Sequence, residues 1–96
     1  MKTVRFLSPA EREMAQAAQY YNSKVPNLGA DFLREVKNAI KRLEADPEAS
    51  QTVRGDVRRR LIRRFPFGIL YRVDPEEIVI LAVMHLARQP DYWHGR

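Results

Sequence analysis

The chain contains no cysteine, so a disulfide framework, a thiolate nucleophile and a zinc knuckle are all excluded. Long apolar runs are missing too. No stretch approaches the ~20 apolar residues of a membrane span, and the N-terminal MKTVRFLSP has no apolar signal-peptide core. A soluble cytoplasmic protein with no membrane contact is therefore the expectation. Lysine disappears after Lys41, and every Lys or Arg beyond that point is an arginine. Repeats, low-complexity segments and internal linkers are absent as well, so residues 1–96 read as one domain with a single modest core. What is present is positive charge: 17 Lys+Arg against 12 Asp+Glu, a formal net charge of +5 and a pI near 10.0. That balance favours an anionic partner, either nucleic acid or an acidic peptide.

The charge concentrates in Val57 to Val73, VRRRLIRRFPFGILYRV, where five arginines (Arg58, Arg59, Arg60, Arg63 and Arg64) fill five of seven positions. Read as an extended chain of period two, Val57, Leu61 and Phe65 fall on one side. Arg58, Arg60 and Arg64 fall on the other side with Ile62. The expectation is a cationic comb on the uncovered face of a sheet whose back is sealed by helices. Arg59 and Arg63 share the apolar parity, which places them at a strand end or bulge, or snorkelling to water. Phe65-Pro66-Phe67-Gly68 punctuates a turn, and a second strand follows with Phe67, Ile69, Tyr71 and Val73 on one face.

Upstream, Lys2 to Leu7 reads as a short strand with Val4 and Phe6 on one side. Ser8-Pro9-Ala10-Glu11 then predicts a helix start, with Ser8 as N-cap, Pro9 at the first helical position and Glu11 closing a capping box. Ala10, Met14, Ala17, Ala18 and Tyr21 give this helix one apolar face, and it stops near Lys24 before Pro26 and Gly29. A second helix is predicted from Leu28 to Ala45, its stripe made by Leu28, Phe32, Val36, Ala39, Ile40 and Leu43. Asp46-Pro47 ends it, and the polar stretch 47–56 reads as a loop. Glu77 to Leu86 is apolar on both parities, which marks a strand covered on both faces and flanked by partners. The order β-α-α-β-β-β predicts an α+β domain: an N-terminal strand and helix hairpin packed on a small, mainly antiparallel sheet.

Taken in register, these pieces resemble the RelE/ParE toxin superfamily. The carriers are Tyr20-Tyr21 closing the first helix, Gly29 and Phe32 opening the second, Asp46-Pro47, Arg58 and Phe65-Pro66-Phe67-Gly68-Ile69-x-Tyr71. The closing His85-x-x-Arg88-x-Pro90-x-Tyr92-Trp93-x-x-Arg96 completes the set. The resemblance covers essentially the whole chain and implies the toxin of a bacterial type II toxin–antitoxin pair, of the kind associated with plasmid stabilisation. A small antitoxin would neutralise it with an extended or helical segment. RelE-like members cleave messenger RNA in the ribosome, whereas ParE-like members poison DNA gyrase. The long helix hairpin and the FPFGILY strand are more similar to the ParE branch, which implies a gyrase inhibitor that performs no chemistry. The alternatives are a RelE-like ribosome-dependent endoribonuclease and a non-toxic binding module derived from this fold.

Metal-independent RNA cleavage needs a base, an acid and a cation at the scissile phosphate. Under the nuclease alternative the resemblance implies Arg60 and Arg88 as phosphate clamps and His85 as base or acid. Nuclease members add lysines on their strands, and this chain has none after Lys41. The plainer reading of His85 is a buried neutral imidazole on a covered strand. For partner binding, the candidates are the comb arginines Arg58, Arg60 and Arg64 together with Tyr92 and Trp93. The comb suits either nucleic acid or the acidic segment of an antitoxin, and its plainer reading is a solvated edge that discourages strand pairing. Tyr92-Trp93 reads first as a pair packing the tail over the open sheet face. Asp91 and His94 lack a third ligand, so no metal is expected, and no motif calls for a cofactor.

Overall fold

Both helices form where the apolar spacing places them. In the computed structural model, which describes residues 2–96, α1 spans Ser8–Lys24 and α2 spans Leu28–Ala45. The expected Ser8 cap and capping box do not form. Leu7 is the N-cap, with no side-chain bond to the helix. Its N–H donates to the Ile80 carbonyl at 3.0 Å, and its own carbonyl accepts the Glu11 N–H at 3.1 Å. The preceding strand thus runs straight into α1, and Ser8 falls inside the first turn. Asn27 caps α2 in the left-handed region (φ 68°), as a short polar side chain tolerates.

Five strands follow the order β1-β5-β4-β3-β2 across one sheet. They are β1 (Thr3–Phe6), β2 (Thr52–Arg54), β3 (Val57–Leu61), β4 (Phe67–Val73) and β5 (Glu77–His85). β1 pairs parallel to β5, and the remaining pairs are antiparallel. One strand exceeds the sequence expectation: Thr52–Arg54, read as loop, pairs with β3 around a turn at Gly55 (φ 57°). All three of its residues are exposed. It therefore carries no hydrophobic alternation and is ordered by edge pairing rather than burial.

The helices cover one face of the sheet. Phe32, Val36, Ala39 and Leu43 of α2 meet Ile69 and Tyr71 of β4 and Ile78, Ile80 and Val83 of β5. Tyr21, Phe32, Phe65 and Phe67 form an aromatic knot at one end of this layer, with ring centroids 4.8–6.2 Å apart. The opposite face carries a second cluster of Val57, Leu70, Val79, Leu81 and Met84, closed by Trp93. The chain thus builds two apolar layers rather than one.

The hairpin is tight at Gly29. A Cβ there would lie 2.2 Å from the Ala18 carbonyl oxygen, and the Gly29 N–H donates to Asn22 Oδ1 at 2.7 Å. Only a residue without a side chain lets the two helices approach this closely.

Candidate functional site

The arginine-rich stretch does not make a comb. β3 ends at Leu61, after which Ile62 and Phe65 turn inward to the helix-side core. The chain twists through Arg64 in the left-handed region (φ 72°). Arg58 and Arg60 lie on the helix side of β3, not on an uncovered face. Arg58 Nη1 donates to the carbonyls of Glu48 and Ser50 at 2.9 and 2.8 Å. Arg60 Nε donates to Ser50 Oγ at 2.7 Å, and its Nη2 to the Asp46 carbonyl at 3.3 Å. Those carbonyls belong to the loop leaving α2, so the two guanidinium groups satisfy the backbone at a helix C-terminus. Arg64 points elsewhere, with Nη1 3.7 Å from Asp31 at the start of α2. The expected alignment of residues 58, 60 and 64 fails because the strand stops three residues short of Arg64.

Arg59 and Arg63 behave as their parity implied. The stem of Arg59 lies over Gly68, where a Cβ would meet its Cγ at 3.0 Å and its Cδ at 3.1 Å. Arg63 is exposed beyond the strand end. Together with Arg42, Arg59 and Arg60 it lines a hollow of about 400 Å³ at the C-terminal end of β3, where that strand runs past β2. Burial lowers the Arg42 pKa, and repulsion from Arg63 and Arg60 lowers it further. Sequence reasoning missed Arg42, which sits on α2 and joins the others only through the fold.

The other candidates meet at the C-terminal end of β5, on the side facing α1. His85, Arg88, Glu13, Gln16, Tyr20 and Phe67 line a hollow of about 350 Å³ between α1 and β5. His85 is exposed rather than buried. Its Nδ1 accepts the Ala87 N–H at 3.0 Å, and its ring meets Phe67 edge-on at 5.0 Å. Arg88 lies 4.0 Å above the Tyr92 ring and 4.0 Å from Glu13. Arg60 is not among the residues of this hollow. The structure therefore brings His85 and Arg88 together and leaves Arg60 apart.

No motif or spacing singles out Glu13, which the fold brings to this hollow. Its side chain is 12% exposed. Its carboxylate accepts the Val83 N–H at 3.1 Å and both Arg96 Nη groups at 3.0 and 3.1 Å. Arg96 also donates to the Leu81 carbonyl at 3.0 Å. The same carboxylate raises the Arg96 pKa. Burial first and the neighbouring Glu13 second raise the Tyr92 pKa, although its hydroxyl makes no well-formed hydrogen bond. Trp93 is 5% exposed beneath the tail, a core residue rather than a reachable contact. Asp91 pairs with Arg54 at 3.4 Å, and no group of three or more potential metal ligands occurs among the described residues. No helix among them is long and apolar enough to cross a membrane.

Compared with known proteins, residues 4–90 match the family model described as the ParE toxin of the type II toxin–antitoxin system parDE. Among solved structures, the chain is similar to one from the chromosomal ParDE toxin–antitoxin system of P. aeruginosa. Identity is 21% and the TM-score 0.79, over 90% of this chain and 97% of that one. It is also similar to a chain of the toxin–antitoxin complex RelBE2 from Mycobacterium tuberculosis. There identity is 27% and the TM-score 0.58, over 88% of this chain and 96% of that one. No curated protein matches the sequence.

Proposed function

Because this chain belongs to the ParE toxin family of type II toxin–antitoxin systems, we propose that it disables DNA gyrase by protein–protein contact and performs no chemistry itself. A cognate antitoxin holds it in check. The observation that supports the non-enzymatic reading is the separation of the nuclease candidates. Cleavage of a phosphodiester needs cation, base and acid around one scissile phosphate. Here Arg60 is tied to Ser50 and Asp46 at the end of α2, while His85 and Arg88 flank a different hollow beside α1.

The antitoxin contact is best supported by an apolar groove between β1, α1 and α2. Phe6, Met14, Leu33, Val36 and Ile40 line it, Lys37 stands at its edge, and Leu33 is 42% exposed. An amphipathic antitoxin segment with acidic flanks fits that composition. Of the residues first considered for partner binding, Arg64 and Tyr92 retain exposed surface. Arg58 and Arg60 are largely engaged with backbone carbonyls, and Trp93 is covered.

A supercoiling assay tests the target. Purified toxin added to gyrase and relaxed plasmid is expected to block supercoiling, and added antitoxin to restore it. Messages incubated with ribosomes and toxin should stay intact. Message cleavage that is lost in Arg88→Ala, with gyrase unaffected, would replace this reading by the endoribonuclease one. Inertness in both assays would leave only a non-toxic binding module.

A further inference from the structure

The arginines of this chain fall into two populations. Arg5, Arg34, Arg54, Arg64, Arg72, Arg88 and Arg96 each have a carboxylate within 4.0 Å. Among the described residues, the arginines without one are Arg12, on the exposed face of α1, and a group in one corner: Arg42, Arg58, Arg59, Arg60 and Arg63. Four of these line the hollow at the C-terminal end of β3, whose other walls are Ala49, Ser50 and Leu61. No acidic side chain lines it. Glu35 is the sole carboxylate acting on Arg42, and its influence is weaker than the repulsion from Arg63 and Arg60.

A fold that pairs its arginines elsewhere has here concentrated like charges against one another. Protecting the short unpaired end of β3 does not call for such a cluster. Arg58 satisfies the carbonyls after α2, Arg60 shares that task through Nε and Nη2 and keeps Nη1 unbonded, and the guanidinium groups of Arg59 and Arg63 make no hydrogen bond among the described residues. Arg42 makes one long contact, to the Leu61 carbonyl at 3.4 Å. Planar guanidinium forks lining one hollow without counter-charge match the oxygens of phosphates.

We propose that the hollow formed by Arg42, Arg59, Arg60 and Arg63 is a binding site for the phosphodiester backbone of nucleic acid. It lies outside the His85–Arg88 hollow, does not depend on which macromolecule the toxin disables, and reads no base sequence. Its role is to hold the toxin on a nucleic acid through charge alone.

Salt dependence of binding tests this, because each neutralised phosphate releases counterions. The probe is a labelled mixed-sequence DNA duplex, titrated by anisotropy with the full-length chain freed of antitoxin. A single-stranded RNA of equal length is the second probe, and binding of either supports the site. With four arginines engaged on duplex, affinity should fall about 150-fold between roughly 50 and 200 mM salt. In R42Q/R63Q the fall should shrink to about 12-fold, with two contacts left. R63Q alone, at an exposed position, gives an intermediate value should the double variant fold poorly. R42K/R63K should keep the steep dependence. The charge-matched variant R12Q/K24Q, at exposed α1 positions, should behave as the wild type. An equal loss in R12Q/K24Q would overturn the proposal in favour of diffuse charge. So would binding of poly-glutamate by a chain that binds neither nucleic acid, since the corner would then be a site for acidic protein.

Discussion

A methyl group at position 29 should weaken this protein, although alanine is the better helix former. Replacing Gly29 by Ala puts a Cβ 2.2 Å from the Ala18 carbonyl oxygen and 2.7 Å from Asn22 Cγ and Oδ1. The Asn22 side chain can swing aside, at the cost of its 2.7 Å bond from the Gly29 N–H, worth about 1 kcal/mol. Ala18 O is backbone within α1 and cannot move alone, so the helices must part by about 1 Å, and overpacking of this kind costs about 1–3 kcal/mol. Against this stands the helix propensity of alanine, worth at most about 1 kcal/mol and less in a first turn. The overpacking wins. The expected net loss is about 2 kcal/mol, or a fall in Tm of about 8–16 °C for a domain of this size. Thermal and urea unfolding followed by far-UV circular dichroism would measure it. Gly55→Ala is the control, because nothing lies within 4 Å of that Cβ and only its positive φ is strained. An unchanged or raised Tm in Gly29→Ala would refute the close crossing of the two helices. The aromatic knot of Tyr21, Phe32, Phe65 and Phe67 would then have to hold the hairpin by itself.

Two further outcomes are expected. Trp93→Ala should destabilise the fold by about 3–5 kcal/mol, the range for emptying a large aromatic site, since Trp93 is 5% exposed under the second layer. A Tm matching the wild type, with antitoxin affinity reduced, would instead make Trp93 a partner contact. Stability should also decline in acid. The guanidinium of Arg5 holds the Glu77 carboxyl below its ordinary value, and Arg72 does the same for Asp74. Carboxyls with depressed folded-state values stabilise above their unfolded range, about pH 4, and lose that effect as pH falls from there through the lower folded-state value. Both groups are partly open to solvent, so 1 M salt should flatten this limb of a Tm–pH profile, as should R5Q/R72Q. An acid limb of the same slope in the double variant would assign the loss to other groups.

Periodicity alone located most of the fold. Leu28 to Ala45 and Phe67 to Val73 end where the spacing of apolar residues ends, and the double-sided hydrophobicity of Glu77 to Leu86 correctly placed that strand between partners. Local chemistry was less informative where tertiary contacts compete with it. Ser8 and Glu11 spell a capping box, yet Leu7 is held by β5 and moves the helix start back by one residue. Thr52–Arg54 has no burial pattern to read, because its order comes from a neighbour. The arginine comb failed for a similar reason: alternation of period two holds only while the strand continues, and β3 ends at Leu61. What matters in that region is the end of α2, which supplies Arg42 and the carbonyls that Arg58 and Arg60 satisfy. That proximity links residues ten to nineteen positions apart.

The surroundings of His85 follow from a single irregularity in β5. Register against β4 slips between Leu70 and Tyr71, so Leu81 and Ala82 both face the Trp93 layer. Strict alternation would carry Val83 and His85 to that same layer, which is the buried setting the uniformly apolar strand suggests. The bulge reverses them. Val83 joins the helix-side core, and His85 emerges beside Phe67, α1 and Arg88. Such a bulge leaves backbone groups without ladder partners, and β1 cannot supply them because it ends at Phe6 and becomes α1. Glu13 takes the Val83 N–H, and Arg96 gives a hydrogen bond to the Leu81 carbonyl while pairing with Glu13. One glutamate on the first helix and the last arginine of the sequence thus hold the distortion that sets which way His85 faces. The hollow beside α1 depends on the chain's C-terminus being seated as much as on the residues that line it.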